Sequence, residues 1–171
     1  MYKIDIFESI NMPIDWYVVY WGIKNKILSV DTAQDYVCRK MEKDKAVSEE
    51  ELELSWKVDN LIDVLEIIEK IPKFQNNIEE NMEKAKEKIR VAIIIFYRKT
   101  EKDVAKLFAQ IEMIYADFDY PQDMENFISY MPMDDEYILK EHSLEENRSY
   151  LLKKLDCYIC EQVKKYKLEI E

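Results

Sequence analysis

The chain is 171 residues long and 48% apolar, enough for one domain that buries about 70% of its extended surface without disulfide support. A single glycine (Gly22) and a single histidine (His142) exclude Gly-rich phosphate loops, dinucleotide fingerprints, nucleophile elbows and any zinc site built on two histidines. With 36 acidic against 25 basic residues the net charge is -11, which repels nucleic acid and anionic lipid and favours basic protein partners.

Glycine and proline are too scarce to punctuate a β protein, and helix signals run from end to end. Pro13 suits the first turn of a helix over about residues 13–24, which Gly22 either ends or occupies where another helix comes close. Ser29 is the expected N-cap of a helix over about 30–43, with Asp31 set against its dipole. Ser48 with Glu51 reads as a capping box. It opens a helix of about 22 residues on Leu54, Val58, Leu61, Leu65 and Ile68, stopped by Pro72. The Glu49-Glu50-Glu51-Glu53 run falls in its first turn, where negative charge offsets the dipole, and that local role accounts for it.

Ile78, Met82, Ala85, Ile89, Ala92 or Ile93, and Phe96 continue a helical register. Val91 through Tyr97 is apolar on every side, and the unbroken register reads as a helix entering the core rather than a strand. Lys84, Lys86, Lys88 and Arg90 interleave with Glu79, Glu80, Glu83 and Glu87 as a solvated face, not a nucleic-acid patch. Thr100 with Asp103 restarts a helix through Val104, Leu107, Phe108, Ile111, Ile114 and Tyr115. Pro121 opens a short helix over about 121–131. Ser143 with Glu146 caps the last, carried by Leu144, Leu151, Leu155, Ile159, Val163 and Tyr166. The expected architecture is a single all-α globular domain over residues 1–171, about seven helices arranged as a bundle or as stacked helical hairpins.

The motifs that carry chemistry elsewhere are weak here. Cys157 and Cys160 form a Cys-x-x-Cys pair, but they lie deep in a predicted helix with no strand before them, so they read as packing residues. His142 precedes the Ser143 cap without a nucleophile motif and reads as a surface or capping histidine. Asp117, Asp119 and Asp123 mimic a calcium loop, but Gln122 and Ile128 stand where its glycine and glutamate belong. The expectation is no catalytic residue, no cofactor and no metal. The longest apolar run, Trp16 to Ile23, is eight residues against the roughly 20 a membrane span requires. The N-terminus lacks the features of a signal peptide, and three cysteines fit free thiols in a reducing cytoplasm.

One stretch stands apart. Leu107 to Leu139 holds 33 residues without a lysine or arginine, eight acids and seven aromatics. Carboxylates pair with basic partners, and rigid aromatics supply contact area at low entropic cost. Asp117, Asp119, Tyr120, Asp123, Tyr130, Asp134, Asp135 and Glu136 are the expected partner-binding residues. Some of Asp117, Asp119 and Asp123 can instead serve as caps or dipole partners of the 121–131 helix, and Asp134 to Glu136, in a loop after Pro132, are freer to bind. The competing reading puts Phe108, Phe118 and Phe127 in the core and leaves the acids only to confer solubility.

Residues 12–36, from Met-Pro-Ile-Asp-Trp-Tyr-Val-Val-Tyr-Trp-Gly to Tyr36, form one recognisable stretch. Ile114-Tyr-Ala-Asp-Phe-Asp-Tyr-Pro-Gln-Asp-Met-Glu-Asn-Phe-Ile-Ser-Tyr-Met-Pro132 forms a second. Together they resemble an uncharacterised family of small bacterial all-helical proteins, a domain of unknown function loosely associated with the immunity genes of polymorphic toxin systems. The resemblance brings no catalytic residues and implies toxin neutralisation. The leading expectation is therefore a non-enzymatic cytoplasmic protein that binds a basic toxin domain through the acidic-aromatic surface. The alternative is a helical adaptor or self-associating structural protein. A hydrolase built on a carboxylate pair comes third.

Overall fold

The structure, a computed structural model, describes every residue except Lys57, Asp59, Asp134 and Glu171. Among the described residues the helical signals become eight α-helices: α1 (Asp5–Glu8), α2 (Trp16–Lys24), α3 (Thr32–Glu42), α4 (Glu49–Leu54), α5 (Leu61–Lys70), α6 (Ile78–Thr100), α7 (Val104–Asp117) and α8 (Leu144–Tyr166). Three 3-10 helices (Pro72–Gln75, Gln122–Phe127 and Leu139–Glu141) join them, and an isolated bridge from Tyr2 to Leu28 is the one β-type pairing among the described residues. The fold is all-α.

The chain gathers into two compact units, Met1–Ile89 and Arg90–Glu171. In the first, α2 packs on α3 and α5, and α4 packs on the same two helices. Val18, Val19 and Ile23 of α2 are wholly buried. In the second, the 122–127 helix packs on α8, with the Phe127 ring 5.1 Å from that of Tyr158. Residues Val91 to Ile95 are helical and buried, as the continuous register of α6 requires.

Both capping boxes form, at Ser48 with Glu51 and at Ser143 with Glu146. Other boundaries differ from the sequence pattern for local reasons. The long helix after Ser48 is broken into α4 and α5. The Ser55 hydroxyl donates to the Leu52 carbonyl (2.6 Å), and the Asn60 side chain accepts from the Ile62 amide (2.9 Å) to cap a new helix. Such short polar side chains offer the backbone an alternative to helical bonding. Residues 121–131 form only the 3-10 helix Gln122–Phe127, because the chain closes i to i+3 bonds such as Met124 N–H to Pro121 C=O. Ser29 does not cap α3, which starts at Thr32. Thr100 ends α6, and Asp103 caps α7 by accepting from the Ala105 and Lys106 amides. Leu144 is exposed, and the buried side of α8 is Leu151, Leu155, Tyr158 and Gln162.

Gly22 lies inside α2, where the returning turn brings Leu28 against it. A Cβ built there would stand 2.5 Å from Leu28 Cγ. The Ile27 and Leu28 amides both donate to the Gly22 carbonyl, which fixes the approach.

The glutamate run has a second role beyond the dipole. Glu51 is 3% exposed and ties three elements together. Its Oε1 accepts from Trp16 Nε1 of α2 (2.5 Å) and from Lys40 Nζ of α3 (2.5 Å), while its Oε2 accepts from the Ser48 amide (2.8 Å). Burial pushes this carboxyl up, but the bonds from Lys40, Trp16 and Ser48 outweigh it and hold the pKa below the ordinary value.

Two substitutions test this packing by chemical denaturation. Ile89→Ala, at a fully buried position, should cost about 2–5 kcal/mol through lost burial and a residual cavity. Gly22→Ala should lower stability by about 1 kcal/mol net, because overpacking costs about 1–3 kcal/mol and helix propensity returns only about 1. A stabilised Gly22→Ala variant would mean that Leu28 yields freely.

Candidate functional site

The end of α7 builds the site. Tyr115, on the last turns of the helix, is 2% exposed. The helix stops at Asp117, Phe118 turns into the interior, and Asp119 and Tyr120 both take left-handed conformations (φ 62° and 55°). The Tyr120 amide donates to the Tyr115 carbonyl (2.9 Å), and the turn sets the Tyr120 ring edge-on against Tyr115, centroids 5.2 Å apart at 82°. After the 122–127 helix the chain returns, and Tyr130 meets the same ring at 6.4 Å. The Ser129 hydroxyl donates to Glu112 Oε1 of α7 (2.5 Å), which pins the returning segment.

Two expected anchors ten residues apart thus converge on one buried tyrosine, with Tyr120 62% and Tyr130 60% exposed. Desolvation, then the charge of Glu125 and the neighbouring phenols, raises the pKa of Tyr115. Desolvation, then Glu112 and Tyr120, raises that of Tyr130. Both phenols therefore remain hydrogen-bond donors. Ala109, Met113 and Ala116 are exposed on α7 and follow one another at helical spacing, an uncharged strip leading to the tyrosines.

The acids divide. Asp117, Asp119 and Glu136 are exposed. Asp123 is committed to Arg90, a nearly buried cation, at 2.5 Å. Asp134 lies outside the described residues. Asp135 corrects the expectation of a free loop carboxylate. It accepts from the Tyr150 hydroxyl (2.5 Å), the Tyr137 amide (3.0 Å) and Lys154 Nζ (2.8 Å), and so ties its loop to α8. Those bonds, Lys154 foremost, bring its pKa down to about 2. Above it the rings of Tyr137 and Tyr150 stack in parallel at 3.8 Å, and His142 stacks on Tyr137 at 4.2 Å. His142 is thus a surface ring in a stack.

Cys157 and Cys160 also depart from expectation. Both are exposed, because the buried side of α8 passes through Leu155, Tyr158 and Gln162 and leaves them on the other side. Among the described residues no group of three or more His, Cys, Asp or Glu is placed to hold a metal ion. No helix of the described residues is long and apolar enough to cross a membrane. Every carboxyl whose pKa moves among the described residues moves down, the setting of carboxylates held ionised as acceptors.

The sequence placed Tyr120, Tyr130 and the acids on one stretch but missed the group that unites them. Tyr115 reads as one more core position of α7, and Glu112 and Ser129 carry no local signal of their pairing.

Residues 4–163 match the family described as "Uncharacterized protein conserved in bacteria (DUF2247)". The chain belongs to that bacterial family. No curated protein and no solved structure matches it.

The Asp135 contacts give a pH test. A carboxyl whose pKa is depressed on folding stabilises the fold above its unfolded value and ceases to as pH falls through the folded one. The contribution of Asp135 should be complete above its ordinary value of 3.8 and gone below about 2. Denaturation midpoints between pH 2 and 5 should fall less steeply for Asp135→Asn than for the unaltered chain. Identical slopes would mean that the loop is not held by this carboxylate in solution.

Proposed function

We propose that this member of the bacterial family is a non-enzymatic binding protein that neutralises a basic protein toxin in the cytoplasm, docking through the face around Tyr115. One observation carries the reading: two largely exposed tyrosines flank a buried third, in a 33-residue stretch with acids and no cation. Aromatic rings backed by a rigid neighbour make good binding anchors, since little freedom remains to lose when a partner closes over them. Asp117 and Asp119 lie beside them in sequence and steer a basic partner. Asp123 serves the same surface indirectly, by holding the segment between Tyr120 and Tyr130 to Arg90, while Asp135 holds its own loop to α8.

The self-associating or adaptor reading is favoured by a different observation. On the first unit Trp56 is 74% exposed, with Leu52 and Ile62 also exposed nearby in the chain. Apolar residues in such a group mark contact surfaces. That reading requires a fixed stoichiometry of the chain with itself, lost in Trp56→Ala.

The deciding experiment captures the partner from the native host with the intact chain and then measures affinities. The expected partner is basic, and association slows as salt rises. Tyr130→Ala should weaken binding by about 2 kcal/mol or more, the loss typical of a hot-spot aromatic. Reversing Asp117 and Asp119 to Lys should weaken it further than reversing Glu79 and Glu83. Equal losses from the two reversals would reduce the acidity to a diffuse field, and no loss from either would favour the adaptor.

A further inference from the structure

The first unit holds a cleft of about 720 Å³ between the segment that precedes α2, α3 and its following turn, and the 72–75 helix. That volume lies within the range of small-molecule sites, roughly 300–1,000 Å³. Part of its wall is apolar and aromatic, formed by Met12, Ile14 and the rings of Trp16, Tyr17 and Tyr36, and charged side chains make up much of the rest. Trp16 and Tyr36 meet edge-on at 4.8 Å, and the Tyr17 hydroxyl donates to the carbonyls of Lys73 (2.9 Å) and Asn76 (2.7 Å). The rings are therefore fixed before any ligand arrives.

The charges of the lining do not balance. Three carboxylates face five cations, and each carboxylate already has a partner. Glu51 is held by Lys40, Glu8 pairs with Arg39, and Asp15 pairs with Lys88 at 3.0 Å. Lys43, Lys45 and Lys73 remain, all exposed and, among the described residues, each without a carboxylate. Their backbones are set: the Lys45 amide donates to the Lys40 carbonyl across a left-handed Asp44 (φ 51°), and Tyr17 holds the Lys73 carbonyl. In a chain of net charge -11, three unmatched ammonium groups around one aromatic cleft are a local reversal of sign.

We propose that this cleft binds a small aromatic anion, its ring against Trp16 and Tyr36 and its phosphate or carboxylate among Lys43, Lys45 and Lys73. Aromatic walls that bury a ring, with charged groups that fix its orientation, are a usual arrangement in such sites. The site shares no residue with the tyrosine face and does not rest on the toxin-binding reading.

Phenyl phosphate is the probe, titrated into the full chain and followed by NMR at the three tryptophan indole N–H signals. Trp16 lines the cleft, whereas Trp21 and Trp56 do not. The Trp16 signal should move in a saturable way while those of Trp21 and Trp56 stay still. K43Q/K45Q/K73Q, which alters only exposed side chains, should keep all three indole signals and weaken the affinity at least tenfold. Inorganic phosphate and phenol, each lacking half of the recognised chemistry, should bind at least tenfold more weakly. The proposal is overturned if Trp16 does not respond at millimolar phenyl phosphate, or if its response survives the triple substitution. It is equally overturned if all three indoles move together, or if phosphate or phenol alone does as well.

Discussion

With a single glycine, and that one inside α2, every left-handed turn among the described residues is made by a residue that carries a Cβ. Asn11, Lys26, Asp44, Asn77, Asp119, Tyr120 and Lys167 all have positive φ. Asn and Asp tolerate this conformation through their short polar side chains, but Lys and Tyr have no such help and cost about 1–2 kcal/mol each. The expense is met by bonds that only the turned chain makes, such as Lys26 N–H to Ile23 C=O and Tyr120 N–H to Tyr115 C=O. These turns fix where the candidate surfaces fall. Asp44 sets the backbone that carries Lys43 and Lys45, and the Asp119–Tyr120 pair sets a tyrosine ring against Tyr115. Strained backbone is retained where surrounding structure over-determines it, and here it coincides with both candidate surfaces.

A buried charge organises each unit. Glu51 draws α2, α3 and the cap of α4 to one carboxylate, so that removing any donor would leave a buried charge less well matched. Arg90, nearly buried, pairs with Asp123 and holds the 122–127 helix, whose Met124 and Phe127 are themselves buried. Replacing such pairs with apolar groups is often neutral, whereas removing one partner is costly. Their importance is therefore positional. Glu51 lines a cleft, and Asp123 anchors the segment between Tyr120 and Tyr130.

The helical fold was legible because its signals are local. Capping boxes at Ser48 and Ser143, and the unbroken register into Val91–Ile95, read directly from spacing. What misled was also local in cause: Ser55 and Asn60 bond their own backbone and break a register that would otherwise continue past Leu54. Of the candidate site, composition showed the stretch but not its geometry. No sequence pattern says that Tyr115 lies beneath two other tyrosines, nor that Asp135 is held by Lys154 nineteen residues on. The cleft was less legible still. Its three lysines without a carboxylate among the described residues lie at positions 43, 45 and 73, two of them in a short charged turn that looks like ordinary solvated surface.

Net charge is a poor guide to such a molecule, because a ligand feels only what lies within about a Debye length, some 10 Å at 0.1 M salt. At that range this acidic chain carries two candidate surfaces of opposite sign, one in each unit. Around Tyr120 and Tyr130 the acids are spread over solvent-exposed segments, so their attraction acts mainly on encounter rates and fades with salt. Around Trp16 the lysines line a concave site, where a few charges close together have more effect on a smaller ligand. An extended, rate-directed field suits a macromolecular partner, and a small focused one suits a compact anion. The two proposed surfaces thus differ in the size of the ligand each suits as well as in sign.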